Sequence, residues 1–258
     1  MADFVAYQNI LPDPNNKISR SGGSVNPVGT GDIDSRLGPG FASVKFSTKQ
    51  PIMMSRTNSG RVVTRSIAAH SWNISISYNP LTREEFEPVF AFLLSYGRLN
   101  PFFVSLPQYL ESRDTQFAAA NPAKELTTAE GASIPAGRTY MECSWTASGA
   151  EYPAVGDMFT ITDPGNSNSF KAYMVTRFES ALDRNTAFDA TTLPPGSAVA
   201  SPVRIHFNPP LVSAVSNGST LDFTAPKIRV IKQGDVLGYD LGVDGLYQFS
   251  LNLEEALP

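Results

Sequence analysis

The sequence has few cysteines, histidines and charged residues, and each shortage argues against a class of protein. Only 17% of its 258 residues are charged, below the usual quarter. Its single cysteine, Cys143, cannot form an internal disulfide, so we expect folding in a reducing compartment. A net charge of −4 lacks the basic excess typical of nucleic-acid-binding proteins. We therefore expect no nucleic-acid partner.

Long hydrophobic runs are also missing. No stretch of about 18 apolar residues occurs, so no membrane span is expected. The first residues show no basic start followed by an apolar run, which would be typical of a signal peptide. We therefore expect synthesis in a cytoplasm. The hydrophobic content of 41% still allows a sizeable core in one or two β domains.

Residue types that catalyse reactions or bind metals are sparse and scattered. His70 and His206 each lie in a strand-like pattern, without a second histidine at ligand spacing. Cys143 also lies in a strand-like run, which favours a small packed side chain over a nucleophile. The acids of "TREEFE" (82–87) are typical of a first helical turn. We predict no catalytic residue, no metal and no cofactor.

Alternating apolar and polar residues predict a mainly β protein with two β-rich lobes. Residues 1–41 are predicted to form an extended N-terminal arm or loop, because 14–40 are rich in Gly, Asn, Ser and Pro and lack periodicity. Residues 42–111 are assigned to a β-sandwich, and 112–220 to an inserted or second lobe of barrel or sandwich type. The strands of 221–258 are predicted to return to the first sandwich.

The first lobe contains a clear strand and a clear turn. In "HSWNISISY" (70–78) apolar residues recur at spacing two and so share one face. Two strand-like runs flank "TNSG" (57–60), whose residues are typical of a hairpin turn.

One segment, 81–97, has a helical period. Thr82 and Glu85 form a capping-box pattern, and Gly97 is a typical C-terminal stop. Pro88 lacks a backbone donor, so either the first turn is kinked or the helix proper starts there. The predicted core between helix and sandwich consists of Phe86, Val89, Phe90 and Leu93 from the helix and Trp72, Ile74 and Ile76 from the strand.

The order of these features resembles the tail proteins of tailed bacteriophages. It runs from an Arg-containing hairpin ("SRTNSGRVVTR") through a Trp-bearing strand ("HSWNISISY") to "PLTREEFEPVFAFLLSYG" and an aromatic strand. The later pattern "VGDMFTI…KAYMVTR…D…VRIHFNPPL" resembles minor tail and baseplate proteins. Together these patterns cover roughly residues 42–257 and indicate the distal tail or baseplate family.

The resemblance implies a structural virion protein rather than an enzyme. In the distal-tail family this order corresponds to a β-sandwich with one packed α-helix and a long protruding hairpin. Its domains join side by side into a ring that caps the tail tube. The expectation is therefore a homo-oligomeric ring, hexameric or trimeric, that contacts the tail tube and baseplate hub proteins. Interface residues expected on the hairpin are Arg56, Asn58, Gly60, Arg61 and Arg65.

Two alternatives remain open from the sequence. The protein could be a carbohydrate-binding module with Trp72 or Trp145 as a sugar-stacking platform, although Trp72 shares the apolar face of its strand. A tail-associated peptidoglycan hydrolase would need a catalytic constellation, and the sequence offers none.

Overall fold

The chain folds into two β-rich units in a computed structural model. Met1–Pro107 and Ile228–Leu257 form the first unit, and Gln108–Lys227 the second. The structure describes residues 9–11, 17–19, 35–37, 40–66, 70–96, 99–110, 112–114, 117, 125–128, 132–144, 153–166, 171–179, 203–224, 226–234 and 237–257. Most of the predicted N-terminal arm, 1–41, lies outside them.

The elements are numbered along the chain. The first part contains β1 (Lys17–Ser19), β2 (Ser35–Leu37), β3 (Phe41–Lys49), β4 (Ile52–Arg56), β5 (Val62–Ser66), β6 (Ser71–Tyr78), α1 (Arg83–Ser95), β7 (Phe102–Ser105) and a 3-10 turn (Pro107–Tyr109). The middle part contains β8 (Glu125–Thr128), β9 (Tyr140–Ser144), β10 (Met158–Thr162), β11 (Ala172–Glu179), β12 (Val203–Asn208) and β13 (Thr220–Asp222). The last part contains β14 (Lys227–Lys232), β15 (Asp240–Leu241), β16 (Tyr247–Gln248) and β17 (Ser250–Glu255).

A five-stranded sheet in the order β3-β6-β17-β14-β7 forms the first unit. Its strand β6 alternates between buried and half-buried residues along its whole length, as the spacing of its apolar residues predicts. Ile74 and Ile76 of β6 lie opposite Leu253 and Leu251 of β17. These pairs are buried, so the two strands together provide one apolar face.

Helix α1 begins at Arg83, after the N-cap residue Thr82. The Glu85 carboxylate accepts hydrogen bonds from the backbone N–H of Thr82 at 3.0 Å and from its hydroxyl at 2.9 Å. Pro88 lies inside the helix rather than at its start. It therefore supplies no backbone donor in the second turn.

Replacing Glu85 with Ala is expected to lower the free energy of unfolding of the first unit by about 1 kcal/mol. The reason is that both Thr82 donors lose their common acceptor. Urea unfolding in a Trp145→Phe background, with Trp72 as the fluorescent reporter, measures this change. Ser95→Ala, an exposed change in the last turn of the same helix, is the control and should stay within about 0.5 kcal/mol of the parent. An equal loss in both variants would contradict a specific cap.

The helix packs on the sheet through an aromatic cluster. The ring of Phe86 stacks on Tyr247 with centroids 4.5 Å apart and also contacts Tyr239 and Phe249. Val89 and Leu93, of the predicted face, are buried as well.

Two phenylalanines show where the buried face of α1 lies. Phe90, included in the predicted core, is half-buried and contacts Phe86 and Tyr239. Phe92 is fully buried and meets Phe102 of β7 edge to face, with centroids 5.5 Å apart. The buried face is therefore broader than the spacing of Phe86, Val89, Phe90 and Leu93 indicates.

A closed six-stranded barrel, in the order β10-β11-β12-β9-β8-β13, forms the second unit. It closes because β13 pairs with both β10 and β8. Its interior contains a buried cluster of Phe117, Ile134, Met141, Cys143, Phe159, Ile161, Tyr173, Val175, Ile205, Phe207, Leu211, Val215, Leu221 and Phe223.

The predicted fold class is confirmed: the described part of the chain is mainly β, with one packed helix, a protruding hairpin and a second lobe that is a barrel. Within the residues that the structure describes, no helix is long and apolar enough to cross a membrane.

Candidate assembly interface

The hairpin of β4 and β5 extends from one end of the first unit's sheet as a separate two-stranded ribbon. Strand β3 ends at Lys49, opposite Ser71 at the start of β6. Pro51 follows two residues later and, having no N–H to donate, favours a break in the pairing there. Each arm of the ribbon has five residues, a length of about 16 Å.

The turn at the tip is held by local hydrogen bonds. The Gly60 N–H donates to the Thr57 carbonyl at 2.9 Å, and the Thr57 N–H donates to the Arg61 carbonyl at 3.0 Å. Gly60 has a φ of +81°, a conformation that side chains with a Cβ rarely adopt. Asn58, which was expected to shape the turn, is exposed at this tip.

Both faces of the ribbon expose apolar side chains. Residues opposite each other in the register share a face, so Ile52, Met54 and Val62 lie on one side and Met53 and Val63 on the other. Met53 is 59% exposed and Met54 60% exposed. Two-sided apolar exposure on a protruding edge is typical of a surface that binds a partner.

Arg56, Arg61 and Arg65 are all exposed on this ribbon, with Arg56 and Arg61 flanking the turn. Among the residues that the structure describes, none of the three forms an ion pair. The structure therefore brings the five hairpin residues expected from the sequence onto one exposed element.

A second, shorter hairpin was missed by the sequence analysis. Strands β15 and β16 pair Asp240 with Gln248 and Leu241 with Tyr247. Exposed apolar side chains occur here too, at Tyr239, Leu241 and Val243. The alternation of "GYDLGVDGLYQ" (238–248), with its glycines and aspartates, is the signal that could have revealed this hairpin.

The two hairpins lie at opposite ends of strand β6. The β4–β5 ribbon leaves next to Ser71, the first residue of β6. At the last residue, Tyr78, the backbone N–H donates to the Phe249 carbonyl, and Leu81 pairs with Tyr247 of β16. Since β6 has eight residues, the ends are about 23 Å apart.

The sequence suggested several residues as candidates for catalysis or sugar binding. Of these, Trp72, Cys143 and His206 lie on strands of the two units. Trp72 is buried, stacked on Phe46 with centroids 4.5 Å apart and contacted edge-on by His70, so it presents no open face to a sugar. Cys143 is buried in the barrel. His206, on β12, lies beside Tyr140 at a centroid distance of 5.7 Å. Trp145 lies outside the described residues.

Carboxylates in the barrel unit accept hydrogen bonds within turns or lie along its strands. Burial raises the pKa of Asp163, but hydrogen bonds from the backbone N–H groups of Gly165 and Ser216 and from the side chains of Ser216 and Ser219 together lower it by more, so the net pKa is below its usual value. Burial raises the pKa of Asp222. Across the described ranges, no group of three or more His, Cys, Asp or Glu residues could hold a metal ion.

One protein family matches the part of the chain that contains the ribbon. The family model "Distal tail protein pb9, A domain, N-terminal" matches residues 32–109, a span that contains β3 to β7, the ribbon and the helix. This part of the chain is similar to the N-terminal A domain of phage distal tail proteins. The sequence resemblance to distal tail proteins is thereby confirmed. No curated protein matches the chain.

The distal tail domain indicates a structural role in a phage tail and a location in the virion tail, with tail assembly proteins as partners. The match covers 78 of the 258 residues. Strands β14 and β17, which complete the five-stranded sheet, come from a later part of the chain.

Proposed function

We propose that the protein forms or decorates a homo-oligomeric ring at the phage tail tip or baseplate, connecting the tail tube to the hub or to receptor-binding parts. The observation that carries the proposal is the β4–β5 ribbon, which lies inside the distal tail match and exposes apolar side chains on both faces. Subunits would be made in the host bacterial cytoplasm before they enter the virion.

The ribbon has the properties that a ring contact needs. Its apolar side chains stabilise nothing in its own subunit while they remain exposed, and full burial of each is worth about 1.5–3 kcal/mol. Its arginines can make bidentate contacts to carboxylates of a neighbour. A protruding element that docks elsewhere on an identical subunit gives a heterologous contact, which generates a ring when the rotation closes.

The test is to shorten the ribbon without disturbing the sheet. Ile52 and Ser66 are register partners, so a two-residue Asn-Gly loop in place of residues 53–65 should connect them in a type I′ turn. In sedimentation velocity we expect the parent to form a discrete oligomer and the shortened variant to remain a monomer.

A fold control accompanies this test. Trp72 lies next to the root of the ribbon, and its emission should be the same in both proteins because its contacts are within the sheet. A well-folded shortened variant that sediments as the parent oligomer would overturn the role of the ribbon.

A further inference from the structure

Charge is segregated along the chain in a way that the net value of −4 conceals. Residues 41–82 contain no Asp or Glu and five cations, namely Lys45, Lys49, Arg56, Arg61 and Arg65. Residues 233–258 contain no Lys or Arg and five acids, namely Asp235, Asp240, Asp244, Glu254 and Glu255. Three of the cations are on the β4–β5 ribbon, and two of the acids are on the β15–β16 hairpin.

The ribbon arginines and the hairpin aspartates, Asp240 and Asp244, lie at opposite ends of strand β6, which are about 23 Å apart. Lys49, at the ribbon end, already pairs with Glu254 at 3.1 Å. The ribbon arginines and the two hairpin aspartates form no ion pair among the described residues. Complementary groups at two ends of one unit are what a head-to-tail contact between identical subunits requires.

The acidic end also offers a shaped surface. A groove of about 620 Å³ lies there, with Ser77, Tyr78, Tyr239, Asp240 and Gln248 among its lining residues. The aromatic ring of Tyr239 and the nearby Leu241 are exposed, which gives apolar area beside the carboxylates.

The start of α1 adds further negative charge at this end. Leu81, which immediately precedes the N-cap residue of the helix, pairs with Tyr247 of β16. The first turn of the helix contributes Glu84 and Glu85. The adjacent cation, Arg83, is bonded to Glu87 at 2.6 Å.

We propose that the β15–β16 hairpin and its groove receive the β4–β5 ribbon of a second copy of this chain. This inference rests on the proposed function, since it names the receiving surface for the ribbon. The ribbon's apolar side chains pack against Tyr239 and Leu241 of the next subunit, and its arginines face Asp240 and Asp244. Repetition of this contact around an axis closes the ring.

The test compares neutralisation of the two aspartates with an equal change of charge elsewhere. Asp240→Asn with Asp244→Asn keeps the side-chain oxygen that accepts the Leu246 N–H. At about 0.15 M salt we expect the dissociation constant for self-association, from sedimentation equilibrium, to rise about tenfold. Thr162→Lys with Thr176→Lys adds the same two units of charge on exposed barrel positions and should leave it unchanged.

A charge exchange makes the test specific. Reversal of the three ribbon arginines to Glu should weaken association, and adding Asp240→Lys and Asp244→Lys to the same chain should restore it. If ribbon reversal weakens association but the aspartate changes have no effect, the receiving surface is elsewhere and this inference fails while the proposed function stands. If the parent chain does not self-associate at any concentration, both this inference and ring formation by the chain itself fail.

Discussion

Replacing Phe86 with Ala is expected to lower the free energy of unfolding of the first unit by about 3–5 kcal/mol. The ring is 3% exposed and contacts Tyr239, Tyr247 and Phe249, so the substitution leaves a cavity between helix and sheet. Urea unfolding followed by Trp72 emission in a Trp145→Phe background measures the effect. The protein concentration should be low, since association stabilises the folded chain.

The matched control for Phe86 is on the same helix. Leu94 is 66% exposed, and Leu94→Ala should change the free energy of unfolding by no more than about 0.5 kcal/mol. A loss below about 1 kcal/mol for Phe86→Ala would contradict the aromatic cluster as the attachment of α1 to the sheet.

Making one face of the ribbon polar is expected to abolish self-association at working concentrations. Met54 and Val62 share that face, and loss of two buried apolar contacts should raise the dissociation constant on the order of 100-fold. The variant Met54→Ser with Val62→Ser should therefore sediment as a monomer where the parent is an oligomer. Its thermal stability as a monomer should be unchanged, because neither side chain is buried in its own subunit.

A barrel valine of similar exposure provides the control for this variant. Val155 is 48% exposed and Val62 is 45% exposed. If Val155→Ser weakens association as much as the ribbon variant does, the effect comes from general surface hydrophobicity rather than from the ribbon.

Local signals in the sequence predicted the elements of the first unit. Thr82 and Glu85 are close in the chain, so their capping interaction is visible without a structure. The same applies to the turn at 57–60 and to the alternation of β6. All three features depend on contacts or repeats within a few residues of the chain.

Features that depend on distant contacts were not predictable. Closure of the barrel depends on the pairing of β13 with β8, which lies far earlier in the chain. The residues of a strand do not by themselves identify the strand with which it pairs. The full burial of Phe92 depends on Phe102, which lies beyond the helix. Helical spacing alone identifies several apolar residues on α1, but it does not show which of them pack against the sheet.

The receiving surface was missed for a different reason. Net charge was considered for the whole chain, where cations near the ribbon and acids near the C-terminus cancel. Charge counted over successive segments shows the contrast, and the topology then places the ribbon arginines and the aspartates of the β15–β16 hairpin at opposite ends of β6.

Negative-stain imaging of the purified full-length protein at high concentration tests the central claim most directly. The account predicts closed rings of uniform size, whose subunit count can be read from the images, and their absence when residues 53–65 are replaced by the Asn-Gly loop. Rings that persist in the shortened variant, or single subunits from the parent at every concentration, would contradict it.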